Sequence, residues 1–88
     1  MGADYAAPQT FFADQRDDQP VTLWTMRKGV HRLGAELVRR SGRWEVRLAA
    51  ENVVFAWRRF VQRPSAIAFA EQVQQDLELD HWYQYDGG

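Results

Sequence analysis

The feature that most limits the fold of this chain is an alternation of apolar and polar side chains from residue 21 to residue 60. Successive side chains of an extended strand point to opposite faces, so this alternation predicts β-strands with one buried face. It is interrupted at residues 29–30, 41–42 and 49–52, which contain the turn formers glycine, serine and asparagine. The pattern predicts four strands: VTLWTMRK (21–28), HRLGAELVRR (31–40), RWEVRL (43–48) and VVFAWRRF (53–60).

The lengths of the turns determine which side chains share a face, because directly opposed residues of antiparallel strands lie on the same face. With two-residue turns in the first two hairpins, Met26 pairs with Leu33 and Leu37 with Val46. With a four-residue turn in the third hairpin, Val46 pairs with Phe55. The predicted inner face is apolar and consists of Trp24, Met26, Leu33, Ala35, Leu37, Trp44, Val46, Leu48, Val53, Phe55 and Trp57.

A helix is predicted after the fourth strand. Ile67, Ala70, Val73 and Leu77 recur every three or four residues, which is the spacing of one helix face, and Ser65 is the predicted N-cap. The predicted fold class is therefore α+β, a four-stranded antiparallel β-meander followed by one C-terminal α-helix packed on one sheet face (ββββα).

The chain of 88 residues predicts a single ββββα domain, over residues 20–83. Residues 1–19 predict a flexible N-terminal arm whose one apolar pair is Phe11-Phe12, and residues 84–88 predict a C-terminal tail. The arm lacks the basic start and apolar stretch of a signal peptide, and no apolar run approaches the roughly 20 residues that span a bilayer. We therefore expect a cytoplasmic protein with no membrane partner.

Charge is distributed unevenly along the chain. The net charge is only −1, but residues 27–63 hold ten of the eleven basic residues and three acidic ones, giving this segment a charge of +7. Residues 64–88 carry five acidic residues and no basic one. Asymmetry of this kind is typical of a surface that binds anions, although a solvated sheet beside an acidic helix explains it equally well.

Six arginines fall on the predicted outer face of the sheet, which points away from the helix. The pairing places Arg27 opposite Arg32 and Arg40 opposite Arg43, and such like-charged pairs destabilise a sheet unless an anion relieves them. Phosphate matches the planar guanidinium group, and Phe60 is the one aromatic residue predicted on this face. The predicted nucleic-acid-binding residues are Arg27, Arg32, Arg40, Arg43, Arg47, Arg58 and Phe60.

The sequence predicts neither an enzyme nor a cofactor. GVHRLG (29–34) has the glycine spacing of a phosphate-binding loop but lacks the Lys and Ser/Thr that follow in such loops. His31 and His81 are isolated and the chain has no cysteine, so no metal site is expected. Glu36 and Glu45 lie among arginines and are expected to form salt bridges rather than a catalytic pair.

Two classes of partner fit these observations. The first is the backbone of DNA or RNA, bound by the outer face. Residues 43–77 resemble, in architecture alone, the small sheet-plus-helix arm domains of phage integrases and plant AP2 factors, and a sheet laid into a duplex groove is a known binding mode.

The alternative is a protein-interaction or homodimerisation module. Val38, Val54, Ala56 and Phe60 would form an apolar patch inside the ring of arginines, suited to an acidic protein or to self-association.

Overall fold

A computed structural model describes residues 17–85, so most of the predicted arm, with Phe11 and Phe12, lies outside the described residues. The fold is a five-stranded antiparallel sheet, in the order β4-β3-β2-β1-β5, with one helix on one face. The predicted α+β class and the four-strand meander followed by a helix are confirmed. The elements are β1 (Val21–Lys28), β2 (His31–Arg40), β3 (Arg43–Ala50), β4 (Val53–Phe60), α1 (Arg63–Leu79) and β5 (Tyr83–Gln84).

The second hairpin has the predicted register throughout, and the first has it from Trp24 to the turn, before which a β-bulge at Leu23 shifts β1 by one residue. Met26 pairs with Leu33 across the first hairpin, and Leu37 pairs with Val46 across the second. Gly29 supplies a φ of +61° in the first turn, a backbone conformation that glycine adopts without steric cost. Turn residues with suitable backbone conformations thus determine which residues pair next to the turn in both hairpins.

The third hairpin differs from the prediction. Its turn has two residues, Glu51 and Asn52, with φ of 52° and 69°, the pattern of a type I′ turn. A β-bulge at Phe55 then shifts the register of β4 by one residue, and beyond it Trp44 pairs with Phe60. A one-residue shift moves every following side chain to the other face of the sheet.

The face assignments for β4 were therefore wrong beyond the bulge. Arg58 and Phe60, predicted on the outer face, pair with Val46 and Trp44 of the inner face. Trp57, predicted in the core, is 62% exposed and pairs with Arg47 of the outer face. Val53 and Phe55 are also exposed rather than buried.

The core lies between the sheet and α1. Ala66 and Ala70 are the fully buried residues of the helix, and their small side chains let it approach the sheet closely. The indole N–H of Trp24 donates a hydrogen bond of 2.9 Å to the carbonyl oxygen of Ala70, which fixes the helix over β1. Two connected clusters of buried residues result, formed by Leu37, Val46, Ala66 and Ala70 and by Trp24, Met26 and Ala35.

The start of the helix also differs from the prediction. The N-cap position is Gln62, and Pro64 lies in the first turn, where its missing N–H has no intrahelical partner to lose. Ser65, the predicted N-cap, is already inside the helix. α1 is the one helix among residues 17–85, and it is not both long and apolar enough to cross a membrane.

The chain returns to the sheet after the helix. His81 adopts a φ of 69°, and β5 pairs with Met26 and Arg27 of β1. The backbone N–H of Tyr85 donates to the carbonyl oxygen of Thr25 at 3.1 Å. This fifth strand covers part of the β1 edge, and the sequence pattern did not indicate it.

We expect Phe60→Ala to destabilise the protein more than Trp57→Ala. Phe60 packs against the core, with its ring centroid 5.4 Å from that of Phe69, so its removal should cost about 2–3 kcal/mol. Trp57 is exposed, so its removal should cost less than about 1 kcal/mol. Urea unfolding of both variants checks the register, and the reverse order would show that β4 has the register without the bulge.

Candidate nucleic-acid interface

The outer face of the sheet, defined as the face away from α1, is built by every second residue of the four long strands. Five of the seven predicted site residues lie on this face, because the pairing in the first two hairpins places them there. These five are Arg27, Arg32, Arg40, Arg43 and Arg47. Trp57 and Arg59 occupy the places predicted for Phe60 and Arg58. The charged and aromatic residues of this face are Arg27, Arg32, Glu36, Arg40, Arg43, Glu45, Arg47, Trp57 and Arg59.

Arg58 has a different environment. It lies on the helix side of the sheet, where its guanidinium carbon is 5.2 Å from the ring centroid of Phe69 and 5.8 Å from that of Phe60. These cation–π contacts connect β4 to the helix. Arg58 and Phe60 therefore contribute to packing and do not belong to the outer face.

The arginines of the outer face form two groups. Arg32 and Arg40 are eight residues apart in β2, which corresponds to about 26 Å along the strand. Arg27 lies opposite Arg32 near the first turn, and its Nε donates to the carbonyl oxygen of Gly29 at 3.1 Å. The larger group, hereafter the arginine cluster, is at the other end and consists of Arg40, Arg43, Arg47 and Arg59.

Glu45 lies at the centre of the arginine cluster and is 4% exposed. Its two carboxylate oxygens accept hydrogen bonds from Arg47 Nε at 2.8 Å and Arg59 Nε at 3.3 Å. Burial acts to raise the pKa of Glu45, but the hydrogen bonds and positive charges of the two arginines outweigh it and lower the pKa. Glu45 is thus a buried anion that holds two arginines in place.

Glu36, which was expected to form a salt bridge, forms none with Arg47, although these two residues pair across β2 and β3. Arg47 donates to Glu45 on its own strand instead. The sequence alone could not show which of Glu36 and Glu45 binds Arg47, because the alternation of side chains places both carboxylates near arginines on the same face.

A depression of about 190 Å³ is lined by Arg40, Ser41, Arg43, Glu45 and Arg59. Arg40 forms a salt bridge with Asp18, which precedes the first strand, and its Nε is 2.9 Å from Oδ1 of Asp18. Arg43 is exposed, and its side chain has no hydrogen-bond or ion-pair partner among residues 17–85. The depression therefore offers guanidinium donors that an anion can engage.

A second depression, of about 340 Å³, adjoins the first and shares Arg40, Glu45 and Arg59 with it. Its remaining walls are Arg47, Val54 and the exposed ring of Trp57. A flat aromatic ring thus stands beside a group of guanidiniums on the outer face. Sequence reasoning missed this ring because Trp57 fits a core position equally well.

The other end of the outer face holds a separate hollow of about 270 Å³ around Gly34, which has no side chain to fill it. Arg32 lies on its rim together with Glu36 and Glu51. Acidic and basic groups are mixed there, so this hollow is less suited to an anion than the arginine cluster.

Among residues 17–85, no group of three or more acidic or histidine side chains is placed so that it could hold a metal ion. Comparisons with protein families, with curated proteins and with solved structures find no match to this chain.

We expect Glu45→Gln to lower the free energy of unfolding by about 1–2 kcal/mol at neutral pH, because charged hydrogen bonds to both arginines are lost. The pKa of Glu45 is lowered in the folded state, so its stabilisation is present above the unfolded-state value of about 4.3. That stabilisation is lost as pH falls through the folded-state pKa.

Urea unfolding of wild type and Glu45→Gln from acidic to neutral pH measures this difference, which should shrink in acid. Glu36→Gln is the matched control, because Glu36 forms no ion pair among residues 17–85 and its loss should matter less. A difference that does not change with pH would show that the Glu45 carboxylate is not held by charge.

Proposed function

We propose that this protein is a non-enzymatic domain that binds nucleic acid through the outer face of its sheet. The observation that carries the proposal is the exposed Trp57 beside the arginine cluster on the face away from the helix. Guanidiniums suit phosphates, and an aromatic ring suits the π-face of a base. The binding residues we assign are Arg40, Arg43, Arg47, Trp57 and Arg59.

Charge in the cluster supports this proposal. The four arginines are opposed by Glu45 within the cluster and by Asp18 at its margin, which leaves a local charge of +2. Glu45 orients Arg47 and Arg59 through their Nε atoms, and the terminal nitrogens of each guanidinium remain as additional donors. A phosphate would relieve the repulsion that Arg40 and Arg43 experience as directly opposed residues.

Trp57 adds a preference for single strands. Bases of a duplex are stacked on each other and present only their edges, whereas bases of a single strand are free to stack on an aromatic side chain. A phosphate at the arginine cluster and a base on Trp57 would be neighbours, because the two depressions share three lining residues.

The alternative function is binding a protein through an apolar patch inside the arginine ring. Three of the four residues predicted for that patch are not exposed on the outer face. Val38 is fully buried, and Ala56 and Phe60 lie on the helix side. Only Val54 of the four predicted residues remains exposed on the outer face. An acidic protein could still engage the arginines.

We expect binding of a single-stranded thymidine oligonucleotide at about 50 mM salt, with affinity falling as salt rises because counterions are released. Arg43→Gln should reduce the slope of log K against log salt by about 0.7, since one phosphate contact is lost. Fluorescence anisotropy measures both quantities. Lys28→Gln is the matched control, because Lys28 lies away from the arginine cluster and forms a salt bridge with Asp80, with 3.4 Å between Nζ and Oδ2. Absence of binding to DNA and RNA at low salt would refute the proposal.

We expect Trp57→Leu to weaken binding to the single strand by about 5- to 150-fold, the loss of one base-stacking contact of about 1–3 kcal/mol. Trp57→Phe should retain most of the affinity, because it keeps an aromatic face. The same titrations with a duplex of equal length should show a smaller effect. Equal losses for both ligands, or for both variants, would mean that Trp57 does not stack on bases.

A further inference from the structure

Gly34 lies inside β2, the central strand of the sheet, at a position where the fold does not require a glycine. It pairs with Thr25 on one side and with Ala49 on the other, and no bulge interrupts either ladder at this point. Its φ is not positive, and an added Cβ would meet Trp24 O and Thr25 Cγ2 at the ordinary contact distances of 3.7 and 3.8 Å. A glycine inside a strand weakens it, and where no bulge or bend needs one it often marks the close approach of a ligand.

The missing side chain leaves the hollow of about 270 Å³ on the outer face. Ala49, which lies beside Gly34 on the same face, contributes only a methyl group to the floor of the hollow. Thr25 and Tyr85 line it from the side of β1, and two hydrogen bonds join them. The Thr25 hydroxyl donates to the carbonyl oxygen of Tyr85, and the Tyr85 backbone N–H donates to the carbonyl oxygen of Thr25. A floor of small residues beside a fixed wall is suited to a flat ligand.

The hollow has opposite charges at its two ends. Arg32 and Glu36 both line it, and they lie on either side of Gly34 in β2, about 13 Å apart along the strand. Arg32 is exposed and Glu36 is half-buried. Neither side chain has a hydrogen-bond or ion-pair partner among residues 17–85. A half-buried carboxylate is stabilised by hydrogen-bond donors, and a ligand in the hollow can supply them.

We propose that the hollow binds a guanine base of a single strand and that Glu36 selects this base, an inference that rests on the proposed function. A carboxylate has two acceptor oxygens and no donor, so it matches a base edge with two adjacent donors. Guanine has such an edge in its N1–H and its N2 amino group. Thymine presents one N–H between two acceptors, and adenine and cytosine present one amino group beside an acceptor. Arg32, at the other end of the hollow, would bind the phosphate of the same nucleotide.

The hollow is close to Trp57. Glu36 pairs with Arg47 and Arg47 pairs with Trp57, so the three residues lie in one row across the outer face. Neighbouring strands are about 4.8 Å apart, which places the backbones at Glu36 and Trp57 roughly 10 Å apart. A base stacked on Trp57 and a guanine in the hollow would therefore belong to nearby nucleotides of one strand. Arg47, assigned above to phosphate binding, lies between them.

Fluorescence anisotropy tests this inference with a thymidine oligonucleotide and the same strand carrying one guanosine. The guanosine strand should bind about 5- to 150-fold more tightly, the range expected for one bidentate contact between a side chain and a base. Inosine in place of guanosine is the matched ligand, because it lacks only the amino group, and it should lose most of this preference. Binding of both strands without a preference for guanosine would overturn this inference and leave the proposed function standing.

Two variants test the site itself. Glu36→Gln removes the charged acceptor, and Gly34→Val fills the hollow while its Cβ makes only ordinary contacts, so each should abolish the preference for guanosine. The measured quantity is the ratio of the two affinities, since a general loss of folded protein would lower both. Arg43→Gln, in the arginine cluster, is the matched control and should weaken binding of both strands equally. A preference that survives both variants would overturn the assignment of guanine to the hollow.

Nuclear magnetic resonance with mononucleotides tests the hollow separately from the arginine cluster. Guanosine monophosphate should shift the amide resonances of Thr25, Gly34 and Ala49, and thymidine monophosphate at the same concentration should shift them less. This titration needs neither Trp57 nor the arginine cluster, so it remains informative even if the proposed function fails. Equal shifts with both nucleotides, or shifts confined to the arginine cluster, would overturn the recognition of guanine. Shifts with guanosine monophosphate but no preference between the strands would overturn the binding of a strand and assign the hollow to a free nucleotide.

Discussion

The bulge at Phe55 is the constraint on which both faces of the sheet depend. Side chains of a strand alternate with a period of two, so one extra residue exchanges the faces of all that follow. Beyond this bulge Phe60 turns toward the helix and Trp57 toward solvent. The same backbone irregularity therefore completes the core with one aromatic residue and exposes another beside the arginine cluster.

Glu45 reduces the electrostatic repulsion among the arginines of the outer face. Four arginines at one end of a small sheet repel each other, and directly opposed like charges weaken strand pairing. A buried carboxylate bonded to Arg47 and Arg59 offsets part of this repulsion inside the sheet itself. Because the compensation is incomplete, the arginine cluster retains a positive charge, and the proposed function depends on what remains. Stability and anion binding are thus connected through a single residue.

Strand β4 connects the core to the features on which the proposed function rests. One side of it contributes Arg58 and Phe60 to the helix contact, and the other contributes Trp57 and Arg59 to the outer face. A strand with this many roles has few positions at which a substitution would affect only one property.

Much of the fold could be read from the alternation of the chain. The first two hairpins have two-residue turns whose residues favour the required backbone conformations, so their registers next to the turns followed from counting, whereas the bulge at Leu23 in β1 did not. The five arginines on these strands were therefore placed on the correct face. β5 could not be read in this way, because two residues are too few to show a pattern.

The sequence by itself determined the fold class, the helix, the inner face of β1 to β3 and most of the basic outer face. Only the tertiary structure decided the faces of β4. Phe55 and Trp57 suit a core strand by hydrophobicity, and no residue type marks the bulge in advance. The register was decided by the helix, which packs against Phe60 through Phe69, and by Glu45, which binds Arg59. These are contacts between residues distant in the chain, and local alternation carries no information about them.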